Sequence, residues 1–80
     1  MNSETERVAR LIEAYLAQHT AAADSERGIA QWWLHSMGAD VPVEVVRDAL
    51  DVLVRRGAVV RTAVPGGPAI YRKAVRGPGP

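Results

Sequence analysis

The chain has 80 residues, 48% of them hydrophobic and 24% charged, with a formal net charge of +1 and no cysteine. A chain of this size folds as one domain and buries only about 60% of its unfolded surface, which leaves little room for a large catalytic cleft. The missing cysteines exclude disulfide stapling and thiolate metal sites and fit a reducing compartment.

Ser3-Glu4-Thr5-Glu6 has the spacing of a capping box, with the serine hydroxyl on the third helical N–H and Glu6 reaching back. Val8, Leu11, Ile12, Tyr15 and Leu16 then form an amphipathic stripe, which predicts a first helix from Glu4 to His19. Thr20 to Ala23 is a small-residue connector that reads equally as helix extension or loop. Asp24 or Ser25 caps a second helix, whose apolar set of Ile29, Ala30, Trp32, Trp33, Leu34 and Met37 is too wide for one stripe. Gly28 costs about 1 kcal/mol against alanine there, so close packing against another backbone is expected. Gly38 ends this helix.

Pro42 to Gly57 is the best-marked element, with proline at its start and glycine at its end. Val43, Val46, Leu50, Leu53 and Val54 line its core side, while Glu44, Asp48, Asp51, Val52 and Arg55 occupy the opposite side. Ala58–Val64 and Ala69–Ala74 are strand-like runs separated by Pro65-Gly66-Gly67-Pro68, where Pro65 and Gly66 suit the two central positions of a type II turn. The predicted core is Val8, Leu11, Ile12, Leu16, Ile29, Trp33, Leu50, Leu53 and Ile70. Residues 1–76 are expected to form the domain and 77–80 a disordered tail.

Charge is unevenly distributed. All nine acids precede Arg55, and from Arg55 onward there are six bases (Arg55, Arg56, Arg61, Arg72, Lys73 and Arg76) and no acid. If Arg61 points outward with Thr62 inward, and Arg72 and Lys73 flank Tyr71, the hairpin gathers positive charge for an anionic partner. Adjacent Trp32 and Trp33 point about 100° apart on a helix, so both are core or half-buried if the helix is covered on two sides, and the alternative is one indole exposed as an anchor for a partner. Trp33 aligns with Ile29 and Met37 and is assigned inward, leaving Trp32 or Leu34 to face out. Val45 and Val52, with Asp48 between them, mark the flank of the third helix as the edge of an association surface.

His19 and His35 stand sixteen residues apart with no carboxylate or cysteine at ligand spacing, so no metal is expected. No nucleophile sits beside an evident base and no glycine-rich phosphate loop follows a strand, so neither catalysis nor a cofactor is expected. Charges interrupt the N-terminal stretch and no run of about 18 apolar residues occurs, so no signal peptide or membrane span is predicted. A soluble cytoplasmic protein is the expectation.

Ile29-Ala30 in the second helix, the run from Val46 to Arg61 and Tyr71 near the chain's end resemble a winged helix-turn-helix domain of the small bacterial transcription-regulator type. The resemblance spans about Glu4 to Ala74 and implies an α+β fold: a single domain of three helices followed by a two-stranded β-hairpin wing. It further implies a third helix that enters the DNA major groove. Arg47 and Glu44 would then reach bases, with Arg55, Arg61, Arg72, Lys73 and Arg76 on phosphates. Two departures stand against this. His35 to Val41 is longer than the tightest helix-turn-helix turn, and the exposed start of the third helix carries Glu44, Val45 and Asp48. Carboxylates are poorly matched to a duplex with about one phosphate charge per 1.7 Å. The rival reading is a protein-protein interaction or self-association module on the same scaffold. Its partner is an acidic or basic protein or a second copy forming a homodimer, met through Trp32, Glu44, Val45, Asp48 and Val52.

Overall fold

The computed structural model describes residues 3–75. The first helix, α1, spans Ser3–Gln18 and buries Val8, Ala9, Ile12 and Leu16 against the rest of the chain. The expected capping role of Glu6 is not what its side chain does. Both its carboxylate oxygens accept from Arg56 Nη2, at 3.0 and 3.1 Å, tying the start of α1 to the end of the third helix.

The connector relaxes into a turn over residues 19–22, as one of the two alternatives expected, and only its last residue, Ala23, is strand. Ala23–Asp24 forms a short strand, β1, paired antiparallel with a later strand through Ala23↔Arg72 and Asp24↔Tyr71. Ser25 then caps the second helix, its hydroxyl accepting from Gly28 N–H at 3.1 Å. This helix, α2, begins as an α-helical turn over Glu26–Gly28 and continues as a π-helix over Ile29–Leu34. Its buried positions are Ile29, Ala30, Trp33 and Leu34, which repeat every four residues. A repeat longer than 3.6 is served by the wider π turn. It takes Trp33 to 4% exposure while leaving Trp32 at 69%. Leu34 joins the core and does not face out.

Gly38, at φ 78°, closes α2 with Ala39 N–H bonding to Leu34 O and Gly38 N–H to His35 O. Gly57, at φ 76°, closes the third helix by the same pair of bonds to Leu53 and Val54. Both are Schellman ends, in which only glycine takes the left-handed position without strain. The third helix, α3, spans Val43–Arg55 with Pro42 as its cap and buries Val46, Ala49, Leu50 and Leu53.

Strands β2, Val59–Thr62, and β3, Ile70–Lys73, follow. Between them Gly67 N–H bonds to Val64 O at 3.1 Å and Gly66 lies at φ 73°, which is the type II turn expected with Pro65 second. The architecture is thus α+β, as expected, with one correction. The sheet has three antiparallel strands in the order β1-β3-β2, not two, because β1 occupies the second edge of β3. The β2–β3 hairpin is thereby stitched to the start of α2.

Register overturns two further expectations. Val59↔Lys73 and Arg61↔Tyr71 are cross-strand pairs, so Val59, Arg61, Tyr71 and Lys73 share one face of the hairpin and Val60, Thr62, Ile70 and Arg72 share the other. Tyr71 is 1% exposed and belongs to the core, whereas Ile70 is only half-buried. Arg61 therefore lies on the Tyr71 side, opposite in phase to the outward arginine expected. Leu11 is also half-buried, packed against a core that includes Val41 and Val59 as well as the other predicted residues apart from Ile70. A ring stack joins α1 to α2: Tyr15 lies 4.7 Å from Trp33 and 4.3 Å from His19 between ring centroids.

Gly28 is close-packed, but against a side chain. A Cβ built there would meet the Asp24 carboxylate at 1.9 Å from Oδ1, and that oxygen already accepts from Ser25 N–H at 2.8 Å. Gly28→Ala is expected to destabilise by about 1–2 kcal/mol although alanine is the better helix former by about 1 kcal/mol. In urea melts Asp24→Ala should recover much of that loss, giving a coupling of at least about 0.5 kcal/mol. Additive effects would show that the contact is not the cause.

Candidate anion-binding surface

The polar side chains between α2, α3 and the sheet form a connected network built on one buried hydroxyl. Tyr71 points inward from β3, and its hydroxyl donates to Glu26 Oε2 at 3.0 Å. The other oxygen of Glu26 accepts from Arg47 Nε at 3.1 Å, from the outward side of α3. Arg61, opposite Tyr71 on β2, lies 4.0 Å from Asp51 Oδ1. The start of α2, the helix α3 and the β2–β3 hairpin are therefore bridged by Glu26, Arg47, Tyr71, Arg61 and Asp51.

The electrostatics follow from these contacts. The Glu26 carboxylate, through its hydrogen bond and then its charge, raises the pKa of Arg47, with Glu44 contributing less. The Tyr71 hydroxyl is the first cause of the rise at Arg61, ahead of Asp51 and Glu26. Burial is the main reason that Tyr71 itself is held above the ordinary tyrosine value. Arg61 opposes that rise and Glu26 adds to it.

Of the cations expected to meet an anionic partner, Arg47 and Arg61 are thus engaged internally while still 56% exposed. Arg55, Arg72 and Lys73 are exposed and form no ion pair among the described residues. Arg72 and Lys73 do not flank Tyr71 as a single patch, because consecutive strand residues point to opposite faces. Arg76 lies outside the described residues, as does the expected tail at 77–80. Arg56, which the sequence adds to the basic set, is occupied by Glu6.

The expected partner surface is also divided. Glu44 and Asp48 are exposed on α3, but Val45 is half-buried and packed against the core, and Val52 is half-buried. Trp32 is the large apolar side chain that α2 turns outward, with Met37 next to the helix end at 39% exposure. Among the described residues no three His, Cys, Asp or Glu side chains cluster as a metal site, and no helix is long and apolar enough to cross a membrane.

Sequence reasoning missed Glu26 and the Tyr71 hydroxyl as the centre of the network. The available signal was the strand phase: had Tyr71 been placed inward, its hydroxyl would have required a partner. In comparisons with known proteins, the chain matches no protein-family model, no curated protein and no solved structure.

The raised pKa of Tyr71 links stability to alkaline pH. Unfolded tyrosine ionises near pH 10, and the folded group does so only above that. Below about pH 10 both states keep the proton and the stability is fully present. As pH rises through the window up to the folded value, the unfolded chain loses its proton first and stability falls. Urea midpoints from pH 8 to 11 should show this decline, and a shallower one in Tyr71→Phe. Equal slopes would remove Tyr71 as the source.

Proposed function

We propose that the chain is a winged helix-turn-helix module, soluble and cytoplasmic, that binds double-stranded DNA through its basic hairpin without enzymatic activity or a cofactor. The observation that carries this reading is the composition of the hairpin. Strands β2 and β3 hold Arg61, Arg72 and Lys73 and no carboxylate, and the last two are exposed and unpaired among the described residues. The element order supports the winged-helix reading, and β1 fixes the wing to the helical layer.

The same geometry limits the mode of binding. Glu44 and Asp48 are exposed where a recognition helix would meet base edges, and carboxylates there have few partners beyond cytosine N4. Contacts to phosphate therefore dominate, and the expected binding is weakly sequence-selective and strongly salt-dependent. In anisotropy titrations at about 50 mM salt, wild type should bind mixed-sequence duplex, and Arg72→Ala/Lys73→Ala should flatten the salt slope by about two. No binding at that salt, or an unchanged slope in the variant, would reject the reading.

A second reading, self-association, is favoured by one observation on α2. Gly28 to Ala39 contains no Asp, Glu, Lys or Arg, yet it exposes Gln31, Trp32, His35, Ser36 and Met37. Depletion of charge around an exposed tryptophan and methionine is the composition of an interface centre. A two-fold contact sets each patch against its own copy, so the acidic side of α3 or the basic β3 would repel itself while this segment would not. Sedimentation from about 10 μM to 1 mM should show concentration-dependent dimers, as a patch well below about 800 Å² per partner gives only weak association. Trp32→Ala should leave a monomer with an unchanged circular dichroism spectrum. A dimer that survives the substitution, or a wild-type monomer throughout, would reject this reading.

A further inference from the structure

A cleft of about 460 Å³ opens beside the Tyr71 network, between the start of α2, the start of α3 and the residues after the wing turn. Arg27 and Arg47 line it together with Glu26, Val43, Pro68 and Ala69, and Glu26 is the sole carboxylate of its wall. We propose that this cleft is a phosphodiester-binding site whose internal occupant is the Glu26 carboxylate. The inference rests on the duplex-binding reading and names the residues that restrain it.

The argument is one of competition for the same donors. A guanidinium makes the same kind of charge-assisted N–H···O contact to a carboxylate as to a phosphate oxygen. Arg47 makes that contact to Glu26 at 3.1 Å, so a phosphate reaching Arg47 must displace or outcompete Glu26. Displacement is inexpensive in itself, because exposed ion pairs contribute little. Glu26, however, cannot swing away. Its second oxygen holds the hydroxyl of Tyr71, which is 1% exposed, and its side chain is only 24% exposed. The negative charge therefore stays within the cleft and repels the incoming phosphate. Arg27 lines the same cleft and forms no ion pair among the described residues, which leaves a second guanidinium available to the ligand.

Glu26→Gln isolates the effect, since the glutamine oxygen can still accept from Tyr71 while the charge is gone. Glu13→Gln, an exposed acid of α1 outside this cleft, makes the same change in net charge. Anisotropy titrations of a mixed-sequence duplex of about 20 base pairs, run across a salt series, compare these with wild type. Glu26→Gln should tighten binding about fivefold at about 100 mM salt and steepen the salt slope by about one, the signature of one added phosphate contact. Glu13→Gln should leave the slope unchanged, and Glu26→Gln/Arg47→Ala should return it to the wild-type value. Equal effects of Glu26→Gln and Glu13→Gln, or a gain that survives loss of Arg47, would overturn the inference while leaving the duplex-binding reading intact. Binding by Glu26→Gln but not by wild type would support the restrained site and reject duplex binding by the native chain. No binding by either protein would reject both.

Discussion

A hydroxyl buried in a small core must be hydrogen-bonded, because leaving it unsatisfied costs about 1–3 kcal/mol. Tyr71 is such a group, and its bond to Glu26 spans forty-five positions of sequence, joining the last strand to the first turn of α2. Much of the surface arrangement follows from it. Glu26 is held where it can take Arg47, so α3 is tethered to α2, and Arg61 is drawn to the same hydroxyl from the neighbouring strand. The pairing of β1 with β3 supports the contact by bringing Asp24 opposite Tyr71, two residues ahead of Glu26. A chain with no disulfide thus uses one phenol to set the relation of its sheet to two of its helices.

Where periodicity was strong, the structure was legible in the sequence. α3 is bounded by Pro42 and Gly57, and both the positive φ at Gly57 and the buried side through Val46, Leu50 and Leu53 follow from those residues. The wing turn was legible for the same reason, since a Pro-Gly pair admits few turn geometries. What was not legible depended on partners distant in sequence. β1 is only Ala23–Asp24, with no propensity signal, and exists because β3 offers it an edge. The phase of β3 was ambiguous between Ile70 and Tyr71, both strand formers, and the larger ring went inward with its hydroxyl satisfied. That error carried Arg61 to the wrong face on paper. For the candidate site, Arg55, Arg72 and Lys73 are exposed, while the engagement of Arg47 and Arg61 was invisible without the tertiary pairing.

The second helix shows how winding serves placement. Adjacent tryptophans diverge by about 100° on a helix, and Trp32 lies on the far side of Trp33 from Ala30 and Leu34. The π turn, with more residues per turn, draws Ile29, Ala30, Trp33 and Leu34 onto a narrower side of the helix, and all four reach the core. Stacking of Trp33 on Tyr15 then secures the helix against α1. Trp32 is left outside by the same winding, so its exposure is a consequence of burying its neighbour and not an isolated surface substitution.

The charge distribution carries the last step. Along the chain acids precede bases, but folding lays the two groups over each other: Glu6 on Arg56, Glu26 on Arg47, Asp51 beside Arg61. Antiparallel return of the chain makes this possible, since the end of α3 comes back beside the start of α1. Sequence-level asymmetry therefore overstates the free basic surface. Among the described residues, Arg72 and Lys73 of β3, the central strand, form no ion pair and face opposite sides of a hairpin that has no carboxylate of its own; Arg55 at the end of α3 and Arg27 at the start of α2 are likewise without one. An anion approaching the hairpin meets uncompensated charge there, and on α3 meets Arg47 already paired with Glu26. Any affinity for a polyanion is consequently set less by the number of arginines than by which of them the acidic front has already taken.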